Sequence, residues 1–217
     1  DKFLVGSDML WCTKFTKEDR TFFLDFIDDK NRKFAFATSV GYRWDDSEIE
    51  IIKAYLSDFC QIAVRETDIA EQVRNIIGKE VRTVCDPTML VEPSIWKNYT
   101  KRNKEKYYLV YMDDGNQSGV CAAMELARNN DIKVKQVEFS VVGRKRNGYE
   151  VIECYSISEF LSAIEYAKML FTASYHGMLF AIYFHVPFVY YNKDSSRLEG
   201  IALRFGLAGR NGEKYKV

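Results

Sequence analysis

The chain has 217 residues, 31 of them basic and 31 acidic, so its formal net charge is zero and nothing draws it as a whole to nucleic acid or to an anionic membrane. With 47% hydrophobic and 29% charged residues it has an ordinary globular composition, long enough for one large domain or two small ones, and no apolar run approaches the ~20 residues of a membrane span. Five scattered cysteines without a Cys-x-x-Cys pair argue against a disulfide framework or a zinc site and point to reduced thiols and the cytoplasm.

Phe3 to Val5 reads as a buried strand ending in the polar turn Gly6-Ser7-Asp8. The carboxyl ends of strands are the usual ligand edge of open α/β sheets. Asp8 is there either a site carboxylate or a turn and cap residue, and its setting leans to the cap. The chain opens on this strand without a lead-in, which reads as the middle of a longer protein. Phe22 to Ile27 is irregular or briefly helical, and Lys33 to Ser39 is a strand closed by Val40-Gly41. Ser47 with Glu50 fits a capping box for a helix from 48 to 58, with Ile49, Ile52, Leu56 and Phe59 at helical spacing. Gln61 to Val64 is the next strand. Thr67 or Asp68 then caps a helix that runs to Ile77 and stops at Gly78. Arg65 therefore sits at a strand end, either as an ion pair with Glu66 or a neighbour or as a guanidinium fork for phosphate or carboxylate.

Val81 to Cys85 is a strand, and Asp86-Pro87-Thr88 turns it. The basic, polar stretch 97–106 marks a boundary between units 1–100 and 101–217 and reads as solvated linker, not a nucleic-acid platform. Tyr107 to Tyr111 restarts the pattern as a strand. Asp113-Asp114-Gly115-Asn116 is a polar turn to which no metal is assigned. A helix from 118 to 129, a strand from 132 to 139 and an exposed basic loop from Gly143 to Gly148 follow. Ser156 and Glu159 cap a helix that runs to Ala167, with Phe160, Leu161, Ile164 and Ala167 inward.

Met169 to Ala173 is a strand, Ser174-Tyr175-His176-Gly177 a sharp polar turn, and the run to Phe184 an apolar helix that Pro187 ends. Helix amides converge on that turn and the helix dipole favours an anion. Ser174 is an acceptable cap, and Gly177 lets a ligand near the backbone. His185 is read as structural. Phe188 to Tyr191 is a strand, and a helix from Arg197 to Phe205 closes at Gly206. Strand and helix alternate throughout, which predicts parallel α/β sheets in two units with a ligand cleft at the strand ends.

Five segments, in order, resemble one family. They are Phe3 to Trp11, Phe34 to Gly41, Ala63 to Glu66, Asp86-Pro87-Thr88 and Ser174 to Gly177. Together they resemble the polysaccharide pyruvyl transferases. No single motif is specific, but the set covers nearly the whole chain. The resemblance implies a two-Rossmann, glycosyltransferase-B-like fold with its N-terminal unit truncated. It also implies transfer of a pyruvyl group from phosphoenolpyruvate to sugar hydroxyls, forming a cyclic ketal in surface polysaccharide synthesis. Met9 stands where the family pattern has Gln, and Ser174 where some members have Arg.

Ketal formation needs an acid for the methylene carbon, cations for carboxylate and phosphate, and an acceptor for the sugar proton. His176 suits the acid, Arg65 and Arg197 the anion clamp with Ser174 and Gly177, and Asp8 the acceptor side. No cofactor or metal is required beyond phosphoenolpyruvate as donor and a glycan or sugar as acceptor. Two other readings stand beside it: a glycosyltransferase using a nucleotide sugar, and a non-catalytic module of a polysaccharide-assembly complex. The sequence does not set the oligomeric state.

Overall fold

The computed structural model describes residues 1–17, 19–112, 117–138, 150–191 and 196–213. The chain divides into two compact units, Asp1–Leu90 with Asp194–Gly200, and Val91–Lys193 with Ile201–Val217.

In the first unit the order is β1 (Phe3–Val5), α1 (Thr13–Thr16), β2 (Lys33–Thr38), α2 (Asp46–Leu56), β3 (Gln61–Val64), α3 (Thr67–Ile77) and β4 (Val81–Thr83). The four strands form one parallel sheet in the order β1-β2-β3-β4. Register puts Val5, Ala35, Ile62 and Val81 in a single row across it, and all four are buried. Alternation along each strand places Leu4, Phe34, Phe36 and Ala63 on the opposite face, along an open groove. The core beneath the buried face centres on Trp11, which stacks on Phe23 and meets Phe59 edge-on. Its indole N–H donates to Phe22 O at 3.0 Å, so the one polar atom of the largest core side chain is satisfied.

Helix α2 starts earlier than expected. Asp45, not Ser47, is its N-cap, accepting the Ser47 N–H at 3.0 Å, while Glu48 accepts the Asp45 N–H at 3.2 Å. Asp45 offers the same cap-to-glutamate spacing two residues upstream, with a charged acceptor in place of a hydroxyl. Strand β4 is shorter than expected, although Val84 N–H still donates to Val64 O at 2.9 Å.

The second unit opens with α4 (Pro93–Lys97), followed by β5 (Tyr107–Tyr111), α5 (Gln117–Asn130), β6 (Lys133–Glu138), β7 (Glu150–Glu153), α6 (Ile157–Glu165), β8 (Met169–Thr172), α7 (Tyr175–Phe184) and β9 (Phe188–Tyr190). The last helix, α8 (Ser196–Arg204), is shared, since its residues to Gly200 cluster with the first unit. The division falls at Leu90/Val91, ahead of the 100/101 boundary that composition points to. The cause is packing. Trp96 of α4 meets Phe180 edge-on with centroids 5.3 Å apart, and Lys101 N–H donates to Ser162 Oγ at 2.8 Å, so the basic stretch belongs to the second unit.

All five strands of this unit are parallel, in the order β7-β6-β5-β8-β9. By order of appearance that is 3-2-1-4-5, the Rossmann arrangement, with its topological switch between β5 and β8. Tyr108, Val110, Val134 and Phe171 pack with Ala123 and Ala127 of α5 in one core cluster. Sequence spacing does not predict β7, because Glu-Val-Ile-Glu is too short to show alternation against its neighbours. The 113–116 turn and the 143–148 loop lie outside the described residues. Among the described residues no helix is long and apolar enough to cross a membrane.

Candidate functional site

Because the strands of the first sheet are parallel, their carboxyl ends share one edge, and a polar residue follows each strand. Asp8 follows β1, Ser39 follows β2, Arg65 and Glu66 follow β3, and Asp86 lies beyond β4. Two backbone features shape this edge. Gly6 has φ of 145°, and a Cβ on it would lie 1.9 Å from the Phe36 carbonyl oxygen, so β1 ends against the β2 backbone at a distance only glycine allows. Strand β2 slips register between Ala35 and Thr38, with Ala37 at φ 58°, a bulge that resets the direction of Thr38 and Ser39. Asp8 is then locked by its own carbonyl, which accepts N–H bonds from Ser39 and Leu10, both at 2.8 Å.

Arg65 is the centre of the edge. Its Nη1 donates to Asp86 Oδ2 at 2.5 Å and its Nη2 to Asp8 Oδ1 at 2.8 Å. The Arg65 and Asp86 side chains are each 1% exposed, whereas Asp8 is 53% exposed. Asp86 is held from behind by the Thr88 N–H and hydroxyl, at 2.9 and 2.8 Å. The ion-pair reading of Arg65 is therefore realised, with Asp86 and Asp8 as its partners instead of Glu66. The expected fork for a ligand anion faces carboxylates of the protein itself. What Arg65 presents to solvent is the Asp8 carboxylate, held in place.

Arg197, near the start of α8, reaches the same edge. Its Nη2 lies 3.5 Å from Asp8 Oδ1 and its Nε 3.8 Å from Glu66 Oε1, and its Nη1 rests against the Met9 sulfur. The departure at Met9 thus falls on a residue that touches Arg197. Ser196 anchors this start of α8 by donating to Asp68 Oδ1 at 3.0 Å. Glu66 is the N-cap of α3 in place of Thr67 or Asp68, but its carboxylate makes no cap bond. It accepts the Ser39 hydroxyl instead, while its Oε2 is buried without a hydrogen-bond partner. Burial pushes the Glu66 carboxyl above its usual range, against the opposing pull of Ser39, Arg65 and Arg197.

In the second unit, β8 ends at the switch point and α7 begins there. Thr172 organises the turn: its hydroxyl donates to Tyr111 O at 2.8 Å and accepts the Ser174 N–H at 3.0 Å. Ser174 is the N-cap, its Oγ accepting the Gly177 N–H at 3.2 Å. His176 is the second residue of α7, half-buried, its ring edge-on to Tyr175. The first turn of a ten-residue helix with a histidine in it suits an anionic group, because the dipole and a protonated imidazole act in the same sense. Gly177 serves close packing: a Cβ there would lie 2.7 Å from Thr172 Oγ1 and 2.8 Å from Tyr111 Cδ1. Its amide goes to the cap. Gly177→Ala is expected to lower stability by about 1–3 kcal/mol, read from denaturant midpoints, since the buried Thr172 hydroxyl has little room to retreat. His185 closes α7 in the left-handed conformation, φ 58°.

Asp8, Arg65 and Arg197 thus share the edge of the first sheet, and His176, Ser174 and Gly177 that of the second. In the sequence reading Ser39 carries no role, and Glu66 appears only as a candidate ion-pair partner of Arg65. The signal that points to them is positional, since each lies within two residues of the end of a strand whose neighbours also end in polar residues. Among the described residues no group of three or more His, Cys, Asp or Glu is placed to hold a metal ion.

Two parallel α/β units, one of them in Rossmann order, place the chain in the two-Rossmann, glycosyltransferase-B-like class of folds. Residues 1–195 match the model of the polysaccharide pyruvyl transferase family, and the chain belongs to that family, a family of transferases. Among curated proteins none matches the sequence. The fold has counterparts among solved structures. A Listeria monocytogenes protein described as a UDP-N-acetylglucosamine 2-epimerase aligns over 91% of this chain and 58% of its own, at 13% identity and a TM-score of 0.52. The Methanocaldococcus jannaschii UDP-GlcNAc 2-epimerase, in complex with UDP-GlcNAc and UDP, aligns over 79% of this chain and 56% of its own, at 16% identity and a TM-score of 0.48. The chain therefore spans less than three fifths of the length of either.

Proposed function

We propose that the protein transfers a pyruvyl group from phosphoenolpyruvate to two hydroxyls of a sugar in a surface glycan, forming a cyclic ketal. The observation that carries this reading is the exposed Asp8 carboxylate, held by two guanidiniums on a strand-end edge, in a chain that belongs to the pyruvyl transferase family.

In the first step a sugar hydroxyl oxygen bonds to the central carbon of the enol, and a proton goes to the methylene carbon, which becomes methyl. In the second, a neighbouring hydroxyl displaces phosphate from that carbon, and its proton leaves with the phosphate or through a base. His176 delivers the proton to carbon. Arg197 engages the carboxylate or phosphate of the donor. Asp8 orients the acceptor hydroxyl and accepts its proton. Arg65 acts through Asp8, as its fixed partner. Ser174 contributes by shaping the turn that carries His176, and Gly177 by letting that turn pack on β8.

The test incubates the full-length protein with phosphoenolpyruvate and a panel of sugars and glycans. Release of inorganic phosphate in step with a ketal-bearing product is expected. No phosphate release with any acceptor, together with no donor binding by calorimetry, overturns the reading. Stabilisation by UDP, GDP or CMP but not by phosphoenolpyruvate would assign the donor to the nucleotide sugars instead.

A further inference from the structure

We infer that Glu66, together with Ser39, is a positioning residue that fixes the Arg197 guanidinium on the carboxyl edge of the first sheet. The inference rests on the proposed reaction only where donor turnover is measured.

Three observations carry it. The Glu66 side chain is 3% exposed, so it does not meet a substrate itself, yet it is not spent as a helix cap. Its Oε1 accepts the hydroxyl of Ser39, which is fully buried, and lies 3.8 Å from Arg197 Nε. Its Oε2 is buried without a hydrogen-bond partner, a cost with no return in stability. A buried carboxylate kept on such terms is explained by what it orients. Arg197 comes from a segment more than a hundred residues away in sequence, and it lies 3.5 Å from Asp8 Oδ1 and 3.8 Å from Glu66 Oε1. Among the described residues, the charged and polar groups facing Glu66 are Ser39 just after β2, Arg65 beside it just after β3, and Arg197 from α8. Asp8 lies beyond Arg197, and Asp86 behind Arg65.

Burial favours the neutral form of Glu66, so the charge that holds Arg197 is lost as pH falls through a titration displaced upward from the usual carboxylate range. In the wild-type enzyme the KM for phosphoenolpyruvate accordingly rises on the acid side. Glu66→Gln keeps the shape and removes the charge. It is expected to raise donor KM about 10-fold, keep kcat within about threefold, and abolish that acid-side rise. Stability moves the other way. A carboxyl whose folded pKa is raised loses stability as pH rises from its unfolded value through its folded one, and the amide does not. Glu66→Gln therefore melts no lower than wild type at neutral pH.

A variant that melts lower while donor KM and its pH dependence stay as in wild type overturns the inference. A ligand-free measurement decides it independently. Amide hydrogen exchange over residues 197–200 is expected to be about tenfold faster in Glu66→Gln, and faster in Ser39→Ala, than in wild type. Unchanged exchange in both variants also overturns it. If the wild type turns over no phosphoenolpyruvate, the proposed reaction falls, and the exchange measurement still tests the positioning.

Discussion

Arg65→Ala is expected to destabilise the first unit by about 3–5 kcal/mol. The size follows from what remains. Asp86 is 1% exposed, and its Oδ2 faces the space the guanidinium leaves, while the Thr88 N–H and hydroxyl engage Oδ1. A buried carboxylate without its cation is far costlier than the pair is beneficial. For that reason Arg65→Met combined with Asp86→Leu, which removes both charges and keeps the volume, is expected to recover most of the loss. Urea denaturation followed by tryptophan fluorescence measures both, since Trp11 and Trp44 are buried in the first unit. A loss below about 1 kcal/mol for Arg65→Ala would show that the pair is not the anchor of this edge. The double variant separates stability from function, because it is expected to fold while Asp8 loses its nearer guanidinium, so the proposed transfer is expected to stay impaired in a stable protein.

That separation also explains what the sequence makes visible and what it hides. Alternation of apolar runs with capped helices is local, and it places β1, β2, β3, β5 and β8 within a residue or so of where they lie, whereas α7 starts at Tyr175 and takes His176 and Gly177, read as turn, into its first turn. Strand order is not local. Nothing in the spacing says that β5 and β8 are neighbours, so the sequence places His176 at a strand end but not at the switch point. Arg65 shows the same limit in a side chain. Its position after β3 leaves two readings open, and only the distances to Asp86 and Asp8 decide for an internal ion pair. Asp86 reads as a turn residue because Asp-Pro is a turn signal, and it is one; its second oxygen, on Arg65, depends on a partner 21 residues away. The return of Arg197 to the first unit has no compositional mark at all, and with it Glu66 acquires a partner that sequence neighbours cannot reveal.

Of the edge groups described, the Asp8 carboxylate is the most open to a ligand, and it is held at several points. Its backbone is in the left-handed region at φ 63°, its carbonyl holds two amides, and its Oδ1 meets two guanidiniums. A carboxylate fixed in this way accepts a proton or a hydroxyl without first reorganising, which is where electrostatic catalysis gains most. The arrangement also has a charge constraint. Arg65 and Arg197 face Asp8, Glu66 and Asp86, so the edge has no positive charge in excess even when Glu66 is neutral. An anionic donor engaging Arg197 competes with Asp8 for it. Under the proposed reaction, donor binding at Arg197 and the release of Asp8 toward the acceptor are expected to be coupled.

His176→Gln is expected to lower pyruvyl transfer by about 10²–10⁴-fold, the range for removal of a positioned general acid. Glutamine keeps a polar side chain of similar reach but has no proton to give to carbon. The residue lies in the first turn of α7, where the Thr172 hydroxyl and the Ser174 cap hold the backbone independently of the imidazole, so the fold is expected to survive the change. The thermal midpoint is thus expected to stay within a few degrees of wild type, a shift of about 1 kcal/mol or less for a half-buried side chain. Calorimetry separates two roles for the histidine. If it acts as the acid, donor affinity stays within about threefold while kcat collapses; if it acts as an anion clamp, affinity falls with kcat. Run in deuterium oxide, the proposed reaction is expected to place solvent deuterium in the methyl group of the ketal, because the enol carbon would take its new hydrogen from the acid. Transfer at wild-type rate in His176→Gln would remove the imidazole from the reaction altogether and leave the chemistry to the carboxylates and guanidiniums of the first sheet.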